Sequence, residues 1–286
     1  MKTEYVNSSA EGQAIDGRVA RRGVRTEEPT GGWQVAGDAA QIYEQELVQS
    51  LTAEWSYKGL GAAHVSAGQR VLDVACGTGI LARAALGLGC TVTGVDNNAG
   101  MLDVARRLAP RAEFFEAPAE SLPFEDDSFE AALMQFGLMF VEDRQRAVAE
   151  MRRVVVEGGA VVVTVWTEID LNPGYRALAQ VIDRLAGKHA PMFRSPFSFG
   201  EPNALRSTFE SVGLRDISVN TVFGVARFDS VEALLRGEID GSPLARHISS
   251  DDPELVGRAR SALAPFTRPN GRVEFPNPAV IAQGRR

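Results

Sequence analysis

A glycine loop and two carboxylates carry the clearest chemical signal in this chain. Val-Leu-Asp-Val-Ala-Cys-Gly-Thr-Gly spans 71–79, and the next apolar run ends at Val95-Asp96. Gly77 and Gly79 let the backbone turn tightly and approach a ligand that a side chain would obstruct. Asp96 is placed to accept hydrogen bonds from two ribose hydroxyls, the role an acid at this position plays in nucleoside sites. Asp73 adds negative charge four residues before the first glycine, which suits a cationic amino group better than a pyrophosphate. Gly77-Thr78-Gly79-Ile80-Leu81-Ala82 also fits the G-x-G-x-x-G/A fingerprint. An NAD(P)-dependent oxidoreductase is therefore an alternative reading of the loop.

The elements that must hold these groups follow from periodicity. The apolar run 70–75, the turn, and an Ala- and Leu-rich segment over 79–89 read as strand, turn and helix. A second strand over 90–96 and a second helix over 99–109 follow, then a weak strand at 112–115. A fourth strand covers 129–134, a helix 144–153, and the β-branched run 159–166 is the fifth strand. Strands alternating with helices imply crossover units and a parallel sheet covered on both faces. The right-handed crossover rule leaves a doubly wound α/β sheet. Strand-like runs also occur at 216–223 and 273–282, and helical segments at about 167–200 and 229–268 read as lid insertions in one α/β domain spanning 70–286.

Upstream, 1–31 is polar and aperiodic and reads as a flexible tail. Between 32 and 69, Ile42, Leu47, Val48, Leu51 and Trp55 recur at helical spacing, so this segment is expected to be an amphipathic lid helix. At 286 residues, 44% hydrophobic and 23% charged, the chain has the composition of a soluble globular protein. A net charge of −7 argues against nucleic acid or an anionic membrane as partner. Cys76 and Cys90 are too few for a disulfide framework or a Cys-based zinc site, and His64, His189 and His247 have no metal-ligand spacing. No apolar window is long enough to span a bilayer, nor is there the apolar core of a secretory signal, so a cytoplasmic location without a metal centre is expected.

With these elements in place, the motifs resemble class I S-adenosylmethionine-dependent methyltransferases, in their ubiquinone/menaquinone C-methylase-like small-molecule branch. The resemblance covers about 70–166. Val71 to Gly79 is similar to the D-x-x-C-G-T-G loop, and Gly94-Val95-Asp96 to the strand ending in the ribose acid. Leu122-Pro123-Phe124 with Asp127-Ser128-Phe129 resembles L-P-F-x-x-x-S-F-D, and Arg153 to Gly159 the R-V-L-x-P-G-G turn. The resemblance implies a bacterial biosynthetic enzyme with the seven-stranded, mostly parallel Rossmann-like methyltransferase fold. S-adenosylmethionine would be its methyl donor and S-adenosylhomocysteine its product.

Carried over by residue, the resemblance puts Asp73, Ala75, Cys76, Gly77 and Gly79 around the methionine portion and Asp96 on the ribose. Asn97 and Met101 would lie near the adenine, Ala119 and Glu120 beside the base, and Gln135 and Phe136 toward the sulfonium. The chain departs from the family pattern at Ala117-Pro118-Ala119-Glu120. Pro118 replaces the adenine-side carboxylate and leaves backbone contacts near Ala119 for that role. A binding module or a cyclase that holds the donor without spending its methyl group is the second reading.

Clues to the small-molecule acceptor lie outside the donor motifs. Trp33, Tyr43 and Trp55 mark the N-terminal helix; His189, Met192, Phe193, Phe197 and Phe199 mark the first insertion, His247 and Phe266 the second. Such a set suggests an apolar lid over a lipophilic or specialised metabolite. His189 is the first candidate for a catalytic base and Tyr43 for a substrate-facing phenol. The same apolar lid would also serve as a contact between copies of the chain in a homo-oligomer.

Overall fold

A computed structural model describes residues 38–286. The expected 1–31 tail and Trp33 lie outside the described residues. Among the described residues nine strands run in chain order: β1 Arg70–Val74, β2 Thr91–Asp96, β3 Glu113–Glu116, β4 Phe129–Gln135, β5 Val155–Trp166, β6 Arg215–Val222, β7 Val225–Phe228, β8 Val273–Pro276 and β9 Ala279–Arg285. Seven form one sheet in the order β3-β2-β1-β4-β5-β9-β6. β1 through β5 pair in parallel, while β9 runs antiparallel to both β5 and β6. This is the doubly wound, mostly parallel seven-stranded sheet that the sequence implies.

The central strands are buried on both faces, as the sequence of β5 requires: 160–165 is a run of small and β-branched residues with no exposed position. β6 at the sheet edge is largely exposed and polar. Strand order reverses between β1 and β4, and open α/β sheets take their ligands in the cleft beyond the carboxyl ends at such a point. The glycine loop follows β1 and Gln135 closes β4, so both lie at that cleft.

The 273–282 run, expected as one strand, is two. Pro276 and Pro278 have no N–H to give a ladder, and buried Asn277 turns its own N–H to the Gly224 carbonyl at 2.8 Å. β8 therefore leaves the main sheet and pairs with β7 in a two-stranded ribbon. That ribbon supports the inserted helices, chiefly Pro173–Leu185, Val231–Leu235 and Pro253–Leu263. Their shared core is aromatic: Tyr175 packs on Phe193, Phe197 and Phe275 with centroid separations of 5.0–6.1 Å.

The N-terminal lid helix is continuous over 39–63 but not uniformly α-helical. Ala39–Ile42 leads into a π-helical stretch, Tyr43–Thr52, before α-helix resumes at Ala53–Ala63. The wider turn keeps Tyr43, Leu47, Val48, Leu51 and Thr52 on the inward side, and such stretches occur frequently at functional sites. A second π-helical turn, Arg236–Asp240, packs against the first. No helix among the described residues is long and apolar enough to cross a membrane.

Candidate functional site

The loop between β1 and the helix Ile80–Gly87 is shaped by three residues in the left-handed region: Ala75 (φ 54°), Gly77 (φ 53°) and Gly79 (φ 80°). Ala75 bears a side-chain penalty there that glycine does not. A Cβ added at Gly77 would meet nothing within 4 Å, so the loop presents open backbone to the cleft. Gly79 instead faces inward, where a Cβ would touch Ala105 and Phe114. The two glycines thus have different duties: one leaves room for a ligand, the other lets the helix pack.

Asp96 joins this loop directly. Its Oδ2 accepts the Gly77 N–H at 2.8 Å and its Oδ1 the Asn98 N–H at 2.9 Å. Burial raises its pKa, while the N–H groups of Gly77, Asn98 and Asn97 oppose that rise. With three N–H groups on about four lone-pair sites, the carboxylate keeps room for a further hydroxyl. Ala117, at the start of the segment holding Ala119 and Glu120, donates its N–H to the Asp96 carbonyl. That segment therefore lies beside the acid, with Pro118 exposed and Ala119 and Glu120 partly so.

Asp73 is 1% exposed and lies beneath the loop. Its Oδ2 accepts the Ala82 N–H at 3.0 Å, at the first turn of the following helix. Burial pushes its pKa up to about 8; the Ala82 bond opposes the rise and the nearby Asp96 charge reinforces it. Cys76 is also buried, and burial with the charges of Asp73 and Asp96 holds its thiol well above the ordinary range. It is a neutral packing group, not a nucleophile.

Tyr43 hangs over the same cleft from the π-helical stretch. Its ring is partly exposed, but its hydroxyl is enclosed, and burial raises its pKa, followed by the charge of Glu44. Thr52 hydrogen-bonds the phenol, and Asp96 and Glu238 lie close enough to raise it further. Two ties hold this helix down. Arg83, one turn past the glycine loop, pairs with Glu44 at 2.8 Å. Gln135 Nε2 donates to the Thr52 carbonyl at 3.1 Å. Three buried polar atoms around this space have no partner: Thr78 Oγ1, Glu44 Oε2 and Gln135 Oε1. Orphaned groups of this kind are costly unless a ligand or water satisfies them. An open backbone loop, an accepting carboxylate and unpaired polar atoms fit the nucleoside and amino-acid parts of S-adenosylmethionine.

The remaining expected site residues have the following neighbours. Met101 packs with Ala40, Val104 and Tyr43, under the lid helix. Asn97 is exposed, and the adjacent Asn98 caps the helix Ala99–Leu108 by accepting the Met101 N–H. Phe136 adopts φ 55° and stacks on Trp166 at 3.6 Å, edge-on to Trp55. Its ring is thus spent on an aromatic triad behind the cleft. Phe193 and Phe197 are buried around Tyr175 rather than presented to an acceptor. His189 stacks face to face on His247 at 3.5 Å, at the outer surface of the lid. The first candidate for a catalytic base thus stacks on the histidine of the other insertion.

Four residues of the candidate site and the helices around it escape sequence reasoning: Thr52, Thr78, Tyr175 and Glu238. Thr78 lies inside the quoted loop and was open to detection. Tyr175 and Glu238 meet only through the fold, the Tyr175 hydroxyl donating to Glu238 Oε1 at 2.5 Å across 63 residues of sequence.

Comparison with known proteins agrees with this fold. The family model described as "Methyltransferase domain" matches residues 72–163, the span from β1 to β5. The demethylmenaquinone methyltransferase of Renibacterium salmoninarum is 32% identical over 189 residues, covering 62% of this chain and 80% of that protein. The Paenarthrobacter aurescens protein of the same name is 38% identical over 122 residues; there this chain spans 48% of its relative. Among solved structures, YcgJ of Bacillus subtilis superposes with a TM-score of 0.55 at 22% identity, covering 82% of this chain and 98% of that one. Phosphoethanolamine N-methyltransferase 2 of Haemonchus contortus, in complex with S-adenosyl-L-methionine, gives 0.57 at 20% identity, covering 86% and 56%. The structural likenesses establish the fold, and the Renibacterium relative establishes the kinship. With its glycine loop and Asp96 joined at the switch point of the sheet, the chain belongs to the class I S-adenosylmethionine-dependent methyltransferases, in the ubiquinone/menaquinone branch.

Proposed function

We propose that the protein methylates a small lipophilic acceptor of the quinol class, one carrying an ionisable hydroxyl. The observation that carries this reading is the Asp96–Gly77 unit beside a helix that carries Tyr43, whose phenol feels both Asp96 and Glu238. The relatives named for demethylmenaquinone support the acceptor class. The acidic net charge gives no attraction for nucleic acid.

In this reading Asp96 accepts from the ribose hydroxyls, and Thr78 and Gln135 find partners in the amino-acid portion. Bound S-adenosylmethionine supplies an electrophilic methyl group whose sulfur keeps the bonding pair. The protein contributes placement and exclusion of water. Holding two reactants in line is worth roughly 7–11 kcal/mol of barrier. The lid helix, pinned by Glu44–Arg83 and Gln135–Thr52, closes that space.

The test is incubation with methyl-labelled S-adenosylmethionine and demethylmenaquinol kept reduced under argon, with 1-naphthol in parallel. Label in either acceptor upholds the reading. Labelled donor left intact by a protein that binds S-adenosylhomocysteine would favour a non-methylating binder.

A further inference from the structure

The lid holds a carboxyl that no sequence motif marks. Glu238 lies in the π-helical turn Arg236–Asp240, which packs on the π-helical stretch bearing Tyr43. Gly241 makes that approach close: a Cβ there would come within 3.4 Å of the Tyr43 main chain and 2.5 Å of the Gly237 carbonyl. Tyr175, 2% exposed and fixed by its aromatic neighbours, holds Glu238 Oε1. Oε2 makes no hydrogen bond among the described residues. Tyr43 stands between Glu238 and Asp96, feeling both charges. A carboxyl is thus clamped at one oxygen, without a hydrogen bond at the other, and close to the phenol that also feels Asp96.

The surrounding charges do not compete for it. On the elements packed against this turn, Glu44 pairs with Arg83, Glu46 with Arg236 and Glu232 with Arg260, and Asp240 accepts from Ser250. Asp38, Arg246 and His247 are exposed. Tyr43 and Tyr175 are the titratable groups that face Glu238, and both are kept neutral by burial.

We propose that Glu238 is the general base for the acceptor, with Tyr175 as the residue that positions it; this rests on the transferase reading above. The acceptor O–H donates to Glu238 Oε2. The proton moves to that oxygen, the O–H bonding pair stays on the acceptor as an oxyanion, and Glu238 becomes a neutral acid. It returns the proton to water when the product leaves. The step needs no oxidant and no further reactant. Burial lifts the Glu238 carboxyl to about 7 against the bond from Tyr175. That places it where a general base works best at neutral pH.

The test uses the intact protein loaded with S-adenosylhomocysteine, with 1-naphthol as probe. Infrared difference spectra of wild type against Glu238→Gln should show a protonated carboxyl at about pH 6 that is ionised by about pH 8. Naphthol affinity should rise several-fold over the same interval in wild type and stay flat in Glu238→Gln. Where label is transferred, Glu238→Gln should lower kcat by about 100-fold or more with little change in KM. Tyr175→Phe should shift the pH midpoint and leave the base in place. Equal naphthol binding and equal pH profiles in wild type and Glu238→Gln would overturn the proposal, as would no naphthol binding by wild type. Glu238-dependent binding without any label transfer would uphold the acceptor site and refute the transferase reading, so the two failures are distinct.

Discussion

Asp96 Oδ2 accepts the main-chain N–H of Gly77 at 2.8 Å, so the acid after β2 and the glycine loop after β1 form one hydrogen-bonded unit. Neither part has its working shape alone. The left-handed Gly77 aims its N–H at the carboxylate, and the carboxylate fixes the loop with the remaining face of the glycine open. The shape of the loop is therefore set by a bond within the chain.

Asp73 should make the ligand-free protein lose stability as pH rises. In the fold its carboxyl stays protonated up to about 8; in the unfolded chain it ionises near its ordinary value of 3.8. Between those values the unfolded chain binds fewer protons, so unfolding becomes easier with increasing pH, and the stabilising contribution is complete only below about 4. Asn at 73 keeps an acceptor for Ala82 and cannot ionise. Asp73→Asn should flatten the fall in Tm across this range by about 5 °C or more, as scanning calorimetry at several pH values would show. Parallel curves for the two proteins would refute the buried neutral carboxyl.

Gln135 ties the end of β4 to the lid helix through the Thr52 carbonyl. Gln135→Leu keeps the volume and strands that carbonyl in a buried place, at a cost of about 1–3 kcal/mol. Amide hydrogen exchange over 43–52 should quicken correspondingly, while the central strands keep their protection. Unchanged exchange in that stretch would mean the bond does not hold the lid.

The Glu44–Arg83 pair is the second tie, with both side chains less than a quarter exposed. Removing Arg83 leaves Glu44 enclosed with neither oxygen partnered, so Arg83→Ala should cost about 2 kcal/mol or more, and Glu44→Gln should recover part of it. Urea unfolding of the two single variants and the double variant measures the coupling. An additive double variant would show the ion pair to be idle.

Gly241 separates lid backbones that a methyl group would force apart. Gly241→Ala should destabilise by about 1–3 kcal/mol through overpacking. Because the displaced element carries Glu238, acceptor KM should rise while S-adenosylhomocysteine affinity holds. A loss of donor affinity equal to that for acceptor would place the disturbance in the wrong half of the site.

The first half of the fold was readable because its signals are local. β1 through β5 announce themselves by short apolar runs, and Gly77, Gly79 and Asp96 by spacing within 20 residues. The second half depends on contacts distant in sequence. Val273–Pro276 is as apolar as Ala279–Arg285, and Pro276 and Pro278, with the bond from Asn277 to the distant Gly224, decide that the two strands part. The π-helical turns have no composition of their own, so the inward direction of Tyr43 was open to guesswork and that of Glu238 was invisible. His189 was attractive as a base because it was the one titratable group in an aromatic stretch. The fold uses that aromatic stretch to enclose Tyr175 and leaves the histidine on the outer surface.

The central claim is that the cleft beyond β1, β2 and β4 is built for S-adenosylmethionine. Calorimetric titration of the intact protein with S-adenosylhomocysteine, beside NADH and repeated on folded Asp96→Ala, tests it most directly. We predict saturable binding of S-adenosylhomocysteine, weakened by about tenfold or more in the variant, a loss of at least about 1.4 kcal/mol, and no heat with NADH. Binding of NADH in preference to S-adenosylhomocysteine, or S-adenosylhomocysteine affinity indifferent to Asp96, would contradict it.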